Sequence, residues 1–209
     1  MERSTQIEGV LLCNKPFTTV ANYRALEKQD DPRKAIIGFL RGRFKERYFS
    51  LQPVPGISYG PGFAMTALAC LSIEATESFK WGWPDTRTEG RGKKAFREFF
   101  KGDLSGEAAV ACATETRCRP KCFYHGVRCG ILHQGETTGG WKVGPISKSL
   151  QVDFLARRVD GIKLLEGVQH SWETYLASLE TSPWDRVGTA SPWGKCRVKI
   201  NAILDNCTQ

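Results

Sequence analysis

The chain has 209 residues, of which 41% are hydrophobic and 25% charged, and its net charge is +8. These proportions are those of a folded globular protein and exclude disorder throughout, and 8 cysteines are too few for a disulfide scaffold. The positive charge favours an anionic partner such as RNA, DNA or an acidic membrane surface, although a soluble protein with a basic surface would have the same composition.

The sequence contains no apolar run of 18 residues, so it predicts no transmembrane helix. The start of the chain, MERSTQIEGVLLC, has two glutamates and a very short apolar run, which is not the pattern of a secretory signal peptide. We therefore expect a cytoplasmic protein with reduced thiols and no membrane partner.

The first clear element is a helix that follows Asp31-Pro32, with Asp31 as its capping residue and Pro32 in its first turn. Apolar residues recur at helical spacing from 36 to 48. The remaining positions are basic: Arg33, Lys34, Arg41, Arg43, Lys45 and Arg47. This basic face predicts either a solvated outer surface or a contact surface for nucleic acid.

The middle of the chain reads as further helices separated by loops. Prolines and glycines in QPVPGISYGPG end the first helix, and a buried helix follows over 63–81, with Glu74 unusual inside it. A glycine-rich loop precedes a short helix over 94–102. A further helix is expected from Ser105 through His133, with a possible break at Arg119-Pro120.

The last third of the chain predicts one long helix and a less regular tail. GETTGGWKVGP is typical of a loop or a short hairpin, and apolar residues at steps of three or four predict a helix over 150–179. The tail is expected to end in a small helix or strand, and RVKINAI is the best strand candidate. We predict a mainly α fold, a bundle of four to five helices with long loops and at most a short hairpin. Its parts are an N-terminal arm (1–32), a helical domain (33–181) and a C-terminal extension packed on the bundle (182–209).

The stretch CFYHGVRCGILHQGET, residues 122–137, concentrates the residues that can carry chemistry, and it admits three interpretations. Zinc is the first, with five possible ligands: Cys118, Cys122, His125, Cys129 and His133. Structural zinc sites draw ligands from two separate elements, and one straight helix cannot surround an ion, so zinc is disfavoured. The second interpretation is ordinary core packing, since free cysteine behaves as a small hydrophobe.

The third interpretation pairs Arg128 with His133. A guanidinium binds phosphate oxygens in a two-pronged way, and a histidine takes up or releases a proton near neutrality. On an ideal α-helix, however, residues five apart point about 140° away from each other. We therefore expect a helix end near His133, which Gly130 and Gly135 permit, or a groove shared by two subunits.

These residues resemble the HEPN domains, helical domains whose hallmark is an arginine followed four to six residues later by a histidine. Arg128 and His133 match this hallmark with four residues between them, and VRCGILHQGET resembles the motif of stand-alone bacterial members. The order of a basic helix with RYF, a buried helix with IEA and a long last helix is also similar. The resemblance covers roughly residues 33–180.

The resemblance implies a homodimer with Arg128 and His133 of both subunits in one cleft, and a metal-independent endoribonuclease, with no cofactor, that leaves a 2′,3′-cyclic phosphate. It implies a toxin or defence role, with RNA as substrate and an antitoxin as a candidate partner. Glu74 lies where some members place an acidic residue that faces the cleft. Cys129 departs from the pattern, because active members commonly have Asn, Asp or His after the arginine. A non-catalytic HEPN protein that binds RNA or a nucleotide, or a helical interaction protein, are the alternatives.

Overall fold

The computed structural model describes residues 8–50, 61–103, 122–146, 151–185 and 187–207. The fold is mainly helical, as the sequence predicts, with two small sheets. The described part of the chain contains no helix with the length and apolar character needed to cross a membrane. The proline-rich segment that ends at residue 60, the first part of the helix expected from Ser105, the break at Arg119-Pro120, and Cys118 lie outside the described residues.

The chain forms two compact units that interleave in sequence. The first unit comprises Met1–Leu51, Ser78–Asp85 and Trp172–Gln209, and the second comprises Gln52–Glu77 and Thr86–Ser171. The three-part division into arm, helical domain and extension stays a prediction.

The first unit begins with a short hairpin and a helix. Strands β1 (Leu11–Asn14) and β2 (Phe17–Thr19) pair antiparallel, and helix α1 (Val20–Glu27) follows directly. The side chain of Thr19 accepts a hydrogen bond from the backbone N–H of Asn22, and the Asn22 side chain accepts one from the Thr19 backbone. This reciprocal pair is a capping box that starts α1. Residues 135–145, for which the sequence predicted a loop or a short hairpin, contribute a strand only at Lys142–Val143.

Helix α2 (Arg33–Phe44) continues into a five-residue π-helix, π1 (Lys45–Phe49). Pro32 rather than Asp31 occupies the capping position; the Asp31 carboxylate instead pairs with the Arg33 side chain at 2.8 Å. The expected basic face is also smaller than predicted, because Arg43 is 8% exposed and donates to the carbonyl of Leu12. Burial lowers the pKa of Arg43 to about 10.

The C-terminal segment of the first unit is helix α7, which spans Pro192–Asn206. It includes RVKINAI, so of the small helix or strand expected in the tail, the helix is present. The Ser191 side chain accepts a hydrogen bond from the Gly194 N–H, and Pro192 occupies the first turn, which is a strong helix start. Trp193 is fully buried and its ring N–H donates to the carbonyl of Leu179.

The core of the first unit is aromatic. The rings of Phe44 and Trp172 stack with their centroids 3.5 Å apart, and Phe79 packs edge-on against both. The ring of Trp184 lies edge-on to Trp193 at 5.0 Å. Both tail tryptophans are therefore used in packing.

The second unit is built around helix α3 (Pro61–Trp81), whose last turn belongs to the first unit, and helix α4 (Arg91–Asp103). Cys70 and Ile73 of α3 are fully buried as predicted, whereas Leu71 is exposed. This unit also contains an aromatic cluster, in which the centroids of neighbouring rings lie 5.1–6.4 Å apart: Phe96, Phe99, Phe100, Phe123, Trp141 and Phe154.

The long helix predicted over 150–179 is wrong in its first third. Strands β3 (Lys142–Val143), β4 (Val152–Asp153) and β5 (Arg158–Val159) form a small mixed sheet with β5 in the centre, and helix α6 spans Gly161–Thr181. The Asp160 carboxylate accepts a hydrogen bond from the Lys163 N–H at 3.3 Å, so it caps α6 and sets its start. Leu155, expected in the apolar face of the helix, is 94% exposed in the turn between β4 and β5.

Candidate active site

The segment that carries Arg128 and His133 is an irregular helix. Residues Tyr124–Cys129 form a second π-helix, π2, which passes directly into the short α-helix α5 (Gly130–Gln134). Gly135, in the left-handed conformation with φ of 70°, ends α5, as glycine commonly does. The helix end expected near His133 is therefore present.

A backbone hydrogen bond explains how the extra residue of π2 is accommodated. The Gly130 N–H bonds the carbonyl of His125, five residues earlier, instead of the carbonyl of Gly126 that an α-helix would use. The freed carbonyl of Gly126 accepts the backbone N–H of Thr138 at 2.7 Å. Buried carbonyls need a partner, so the loop after α5 stabilises the π-helix.

Two glycines allow that loop to lie against π2. A Cβ atom on Gly126 would lie 2.3 Å from the Trp141 ring, and one on Gly130 would lie 2.5 Å from the carbonyl oxygen of Glu136. Trp141 is itself 4% exposed and packs edge-on against Phe123. The loop, the aromatic core and the π-helix are thus packed as one assembly.

Arg128 and His133 meet across the junction of π2 and α5. Arg128 lies in the last turn of π2, and His133 lies in α5. The Arg128 Nη1 and the His133 Nε2 are 3.3 Å apart. The poor alignment expected from the spacing on an ideal α-helix therefore does not keep the two side chains apart, and a second subunit is not needed for them to meet.

Glu74 holds the other end of the arginine. The Arg128 Nε donates to one Glu74 carboxylate oxygen at 2.5 Å, and the hydroxyl of Thr86 donates to the other at 2.7 Å. The Glu74 side chain is 9% exposed and the Arg128 side chain 18%. Because both oxygens of the Glu74 carboxylate are held, the carboxylate sets the orientation of the Arg128 guanidinium. A charge-assisted hydrogen bond of this kind is strong when it is partly buried.

The electrostatics of the site keep Arg128 charged. Burial lowers the pKa of Arg128, but the hydrogen bond and negative charge of Glu74 more than offset this and raise it overall. Burial decreases from Glu74 through Arg128 to His133, which is solvent-exposed. A fixed cation therefore lies next to a histidine that a dissolved ligand can reach.

The contact between Arg128 and His133 depends on the tautomer of the imidazole. A guanidinium has only donors, so the 3.3 Å contact is a hydrogen bond only when Nε2 of His133 carries its lone pair. To act as a base, Nε2 must exchange this contact for one with a hydroxyl of the substrate.

Two contributors were missed at the level of sequence. The guanidinium of Arg128 lies over the Tyr124 ring, 5.5 Å from its centroid, and burial raises the pKa of Tyr124. Its position four residues before Arg128 is a signal that could have been used, because such residues share a helix face. Thr86 lies in the glycine-rich loop before α4 and has no local signal.

The remaining candidates of this stretch have other surroundings. Cys122 is buried, and Cys129 is half-buried beside Arg128 and Tyr124. The His125 ring lies edge-on to Tyr124 at 5.2 Å. Within the described ranges, no three His, Cys, Asp or Glu side chains are grouped so that they could hold a metal ion.

No family model, no curated protein and no solved structure matches this chain. The geometry of Glu74, Arg128 and His133 is thus the basis on which a function can be argued.

Proposed function

We propose that the protein is a metal-independent endoribonuclease of the HEPN type, in which Arg128 binds the phosphate and His133 acts as general acid and base. The observation that carries the proposal is the 3.3 Å approach of Arg128 Nη1 to His133 Nε2 at an exposed position. The resemblance of VRCGILHQGET to the HEPN motif and the mainly helical fold support it, and within this proposal the helices form a HEPN-like bundle.

The first step is the attack of the ribose 2′-hydroxyl on the adjacent phosphorus. Nε2 of His133 takes the hydroxyl proton, the 2′-oxygen bonds phosphorus, and the bond to the 5′-oxygen breaks, which leaves a 2′,3′-cyclic phosphate. Arg128 donates its terminal N–H groups to the phosphate oxygens, where negative charge increases during the attack. Glu74 takes only the Nε side of the guanidinium, and Nη1 turns from His133 to the phosphate when the imidazole engages the 2′-hydroxyl.

The leaving 5′-oxygen must receive a proton, and the attacking and leaving oxygens lie roughly in line on opposite sides of phosphorus. One imidazole next to the 2′-hydroxyl is therefore badly placed to protonate the leaving group. A second copy of His133 from a partner subunit would supply that proton, which is the chemical argument for the homodimer. Light scattering tests it, since a monomer at micromolar concentration would leave water as the acid.

Cleavage of a structured RNA in the presence of EDTA tests the proposal. We expect His133→Ala to reduce the rate by about 10²–10⁴-fold, the usual contribution of a general base, and Arg128→Ala by about 10²–10³-fold. His170→Ala and Arg97→Ala change the same residue types at exposed positions of other helices and should cleave at the parent rate. Equal rates for all four variants would reject the assignment.

A non-catalytic RNA-binding or nucleotide-binding protein is the second candidate, and Cys129 is the observation that favours it. A thiol next to Arg128 is a weak donor and acceptor, where active HEPN proteins commonly have a polar side chain. Intact RNA together with a salt-sensitive mobility shift would support this candidate. No interaction with nucleic acid would favour a helical interaction protein.

A cytoplasmic toxin or defence role follows from the proposed activity. Induced expression of the parent chain should arrest bacterial growth, while the His133→Ala chain should not. An antitoxin would be recognised as a protein that restores growth when it is co-expressed.

A further inference from the structure

The basic face of α2 forms part of a cavity in the first unit. Gly38, Arg41, Gly42 and Lys45 are spaced three and four residues apart and therefore share one side of the helix. Together with Lys15 they line a cavity of about 470 Å³. Three cations thus surround one concave surface.

Gly42 is the reason that Lys15 joins this surface. A Cβ atom on Gly42 would lie 1.9 Å from the carbonyl oxygen of Lys15, so only glycine allows the hairpin turn to approach the helix this closely. The approach places the Lys15 side chain beside a helix that it could not otherwise reach. The cation cluster is therefore produced by the fold and is not a run of basic residues in sequence.

The cations are available to a ligand. Lys15 and Lys45 are exposed, and neither ammonium has a carboxylate within 4 Å in the part of the chain that the structure describes. Arg41 uses only its Nε, which bonds Glu173 at 2.9 Å. Glu46, which is the acid among the described residues that line the cavity, accepts the Asn14 N–H at 3.1 Å with both oxygens.

A second cavity of about 480 Å³ adjoins the first, and Gly38 lines both. Its lining is largely apolar and includes Pro16, Phe17, Ala25, Leu26 and Ala35. Phe17 is 69% exposed, which is unusual for a large aromatic residue. A largely apolar cavity with an exposed aromatic residue thus adjoins the cavity that Lys15, Arg41 and Lys45 line.

We infer that these adjoining cavities bind single-stranded RNA, with phosphates at Lys15, Arg41 and Lys45 and a base against Phe17. Single-strand binders combine a positive groove along the backbone with aromatic rings on which bases stack. An acidic peptide would use the cations but would not need the exposed ring. The inference rests on the proposed function only in taking RNA as the ligand, since it concerns residues outside the Arg128–His133 site.

Fluorescence anisotropy with a labelled single-stranded RNA of about ten nucleotides, within the usual site size, tests the inference. Binding is measured in the His133→Ala protein so that the RNA stays intact. Phe17→Ala should weaken binding about tenfold, which is a typical effect of losing one stacked base. Lys15→Ala with Lys45→Ala should weaken it further and reduce the slope of log K against log salt by about 1.4, at about 0.7 per contact.

Gly38 provides the sharpest pair of variants. A Cβ atom there meets nothing within 4 Å, so Gly38→Ala should fold and bind like the parent. Gly38→Glu puts a negative charge where the two cavities join and should abolish binding. Lys28→Ala removes the same charge from an exposed position of the same unit that lines neither cavity, and Leu11→Ala removes an exposed apolar side chain; both should bind normally.

Parent-like binding by Phe17→Ala and Gly38→Glu would overturn the inference. So would a loss in Lys28→Ala equal to that in Lys15→Ala, which would indicate diffuse attraction by net charge. If polyglutamate competed for the site as well as RNA does, and Phe17→Ala did not alter that competition, the adjoining cavities would be assigned to an acidic protein. If Gly38→Glu both cleaves and binds RNA normally, the adjoining cavities are not the binding site, and the proposed ribonuclease is unaffected. If the parent chain binds RNA at these cavities but never cleaves it, the inference holds and the proposed ribonuclease is rejected.

Discussion

The two π-helices of this protein use the same backbone irregularity for different ends. In π1 the hydroxyl of Ser50 donates to the carbonyl of Lys45 at 2.6 Å and the helix stops. In π2 the helix continues into α5, and the peptide N–H of Thr138 bonds the freed carbonyl of Gly126. The end of π1 is therefore closed by the side chain of Ser50, which directly follows it. The freed carbonyl of π2 is instead bonded by a loop residue, Thr138, twelve residues further along the chain.

The side chains that the two π-helices align differ as well. In π1 the rings of Tyr48 and Phe49 both reach Phe44, at 5.2 and 6.1 Å, so the irregularity serves packing. In π2 the helix carries Arg128, whose Nη1 lies 3.3 Å from Nε2 of His133 in α5 at an exposed position. A π-helix is thus not itself a site, and what it does depends on the side chains that it carries and on what fixes them.

Changing Gly126 to alanine should have the largest effect on π2. The added methyl group would lie 2.3 Å from the Trp141 ring, and overpacking of this kind costs about 2–3 kcal/mol. We expect the free energy of unfolding in urea to fall by that amount and the RNA cleavage rate to fall with it, because the loop that holds π2 must move.

Gly38→Ala is the matched control, since it adds the same methyl group to a helix with nothing within 4 Å. It should leave stability equal or increase it by up to about 1 kcal/mol. If Gly126→Ala were as stable as Gly38→Ala, the loop would not be what supports π2.

A change of Glu74 to alanine should have a smaller effect on stability. It leaves the partly buried Arg128 without its carboxylate, which should reduce the free energy of unfolding by about 2 kcal/mol. The control is Glu173→Ala, which breaks the exposed pair with Arg41 and should cost less than about 1 kcal/mol. Equal costs in urea unfolding would show that Glu74 does not hold the arginine.

The smallest effect concerns the loss of stability in acid, which should distinguish the two π-helices because different contacts hold them. The backbone N–H of Asn14 bonds Glu46 of π1 and lowers the pKa of that carboxyl from its ordinary value of 4.5. A lowered pKa in the folded state gives stability that is present above the ordinary value and is lost as the pH falls through the folded one. Glu46→Gln should therefore make the unfolding midpoint fall less steeply below about pH 4.5.

The contact that closes π2 joins two peptide groups and does not titrate. Gly126→Ala should therefore shift the midpoint by the same amount at pH 4 and at pH 7. A slope in acid that is unchanged by Glu46→Gln would mean that this carboxylate does not anchor π1.

Helical periodicity predicted the main helices of the fold, because apolar residues at steps of three or four need a helix to share one side. It failed where local chemistry decided the outcome. Asp160 caps α6 and excludes the preceding residues from it, while Ser191-Pro192 starts a helix through a segment whose Val and Ile suggested a strand. Both starts are visible in the sequence once capping is weighed against periodicity.

The site shows a different limit. Arg128 and His133 could be chosen from their chemistry, and Glu74 from its position in a buried helix. The type of helix was misjudged because nothing within residues 124–134 alone specifies a π-helix. The contacts that stabilise it come from Thr138 and Trp141, outside the helix, so tertiary packing determines the local geometry.

A double-mutant cycle on Arg128 and His133 tests most directly whether they act as one catalytic pair. The kcat/KM for cleavage of a structured RNA in EDTA is measured for the parent chain, Arg128→Ala, His133→Ala and the double variant. Residues that act as a unit are strongly non-additive, so we expect the double variant to be about as slow as the slower single variant. Rate losses that simply multiply, or four equal rates, would contradict the pairing.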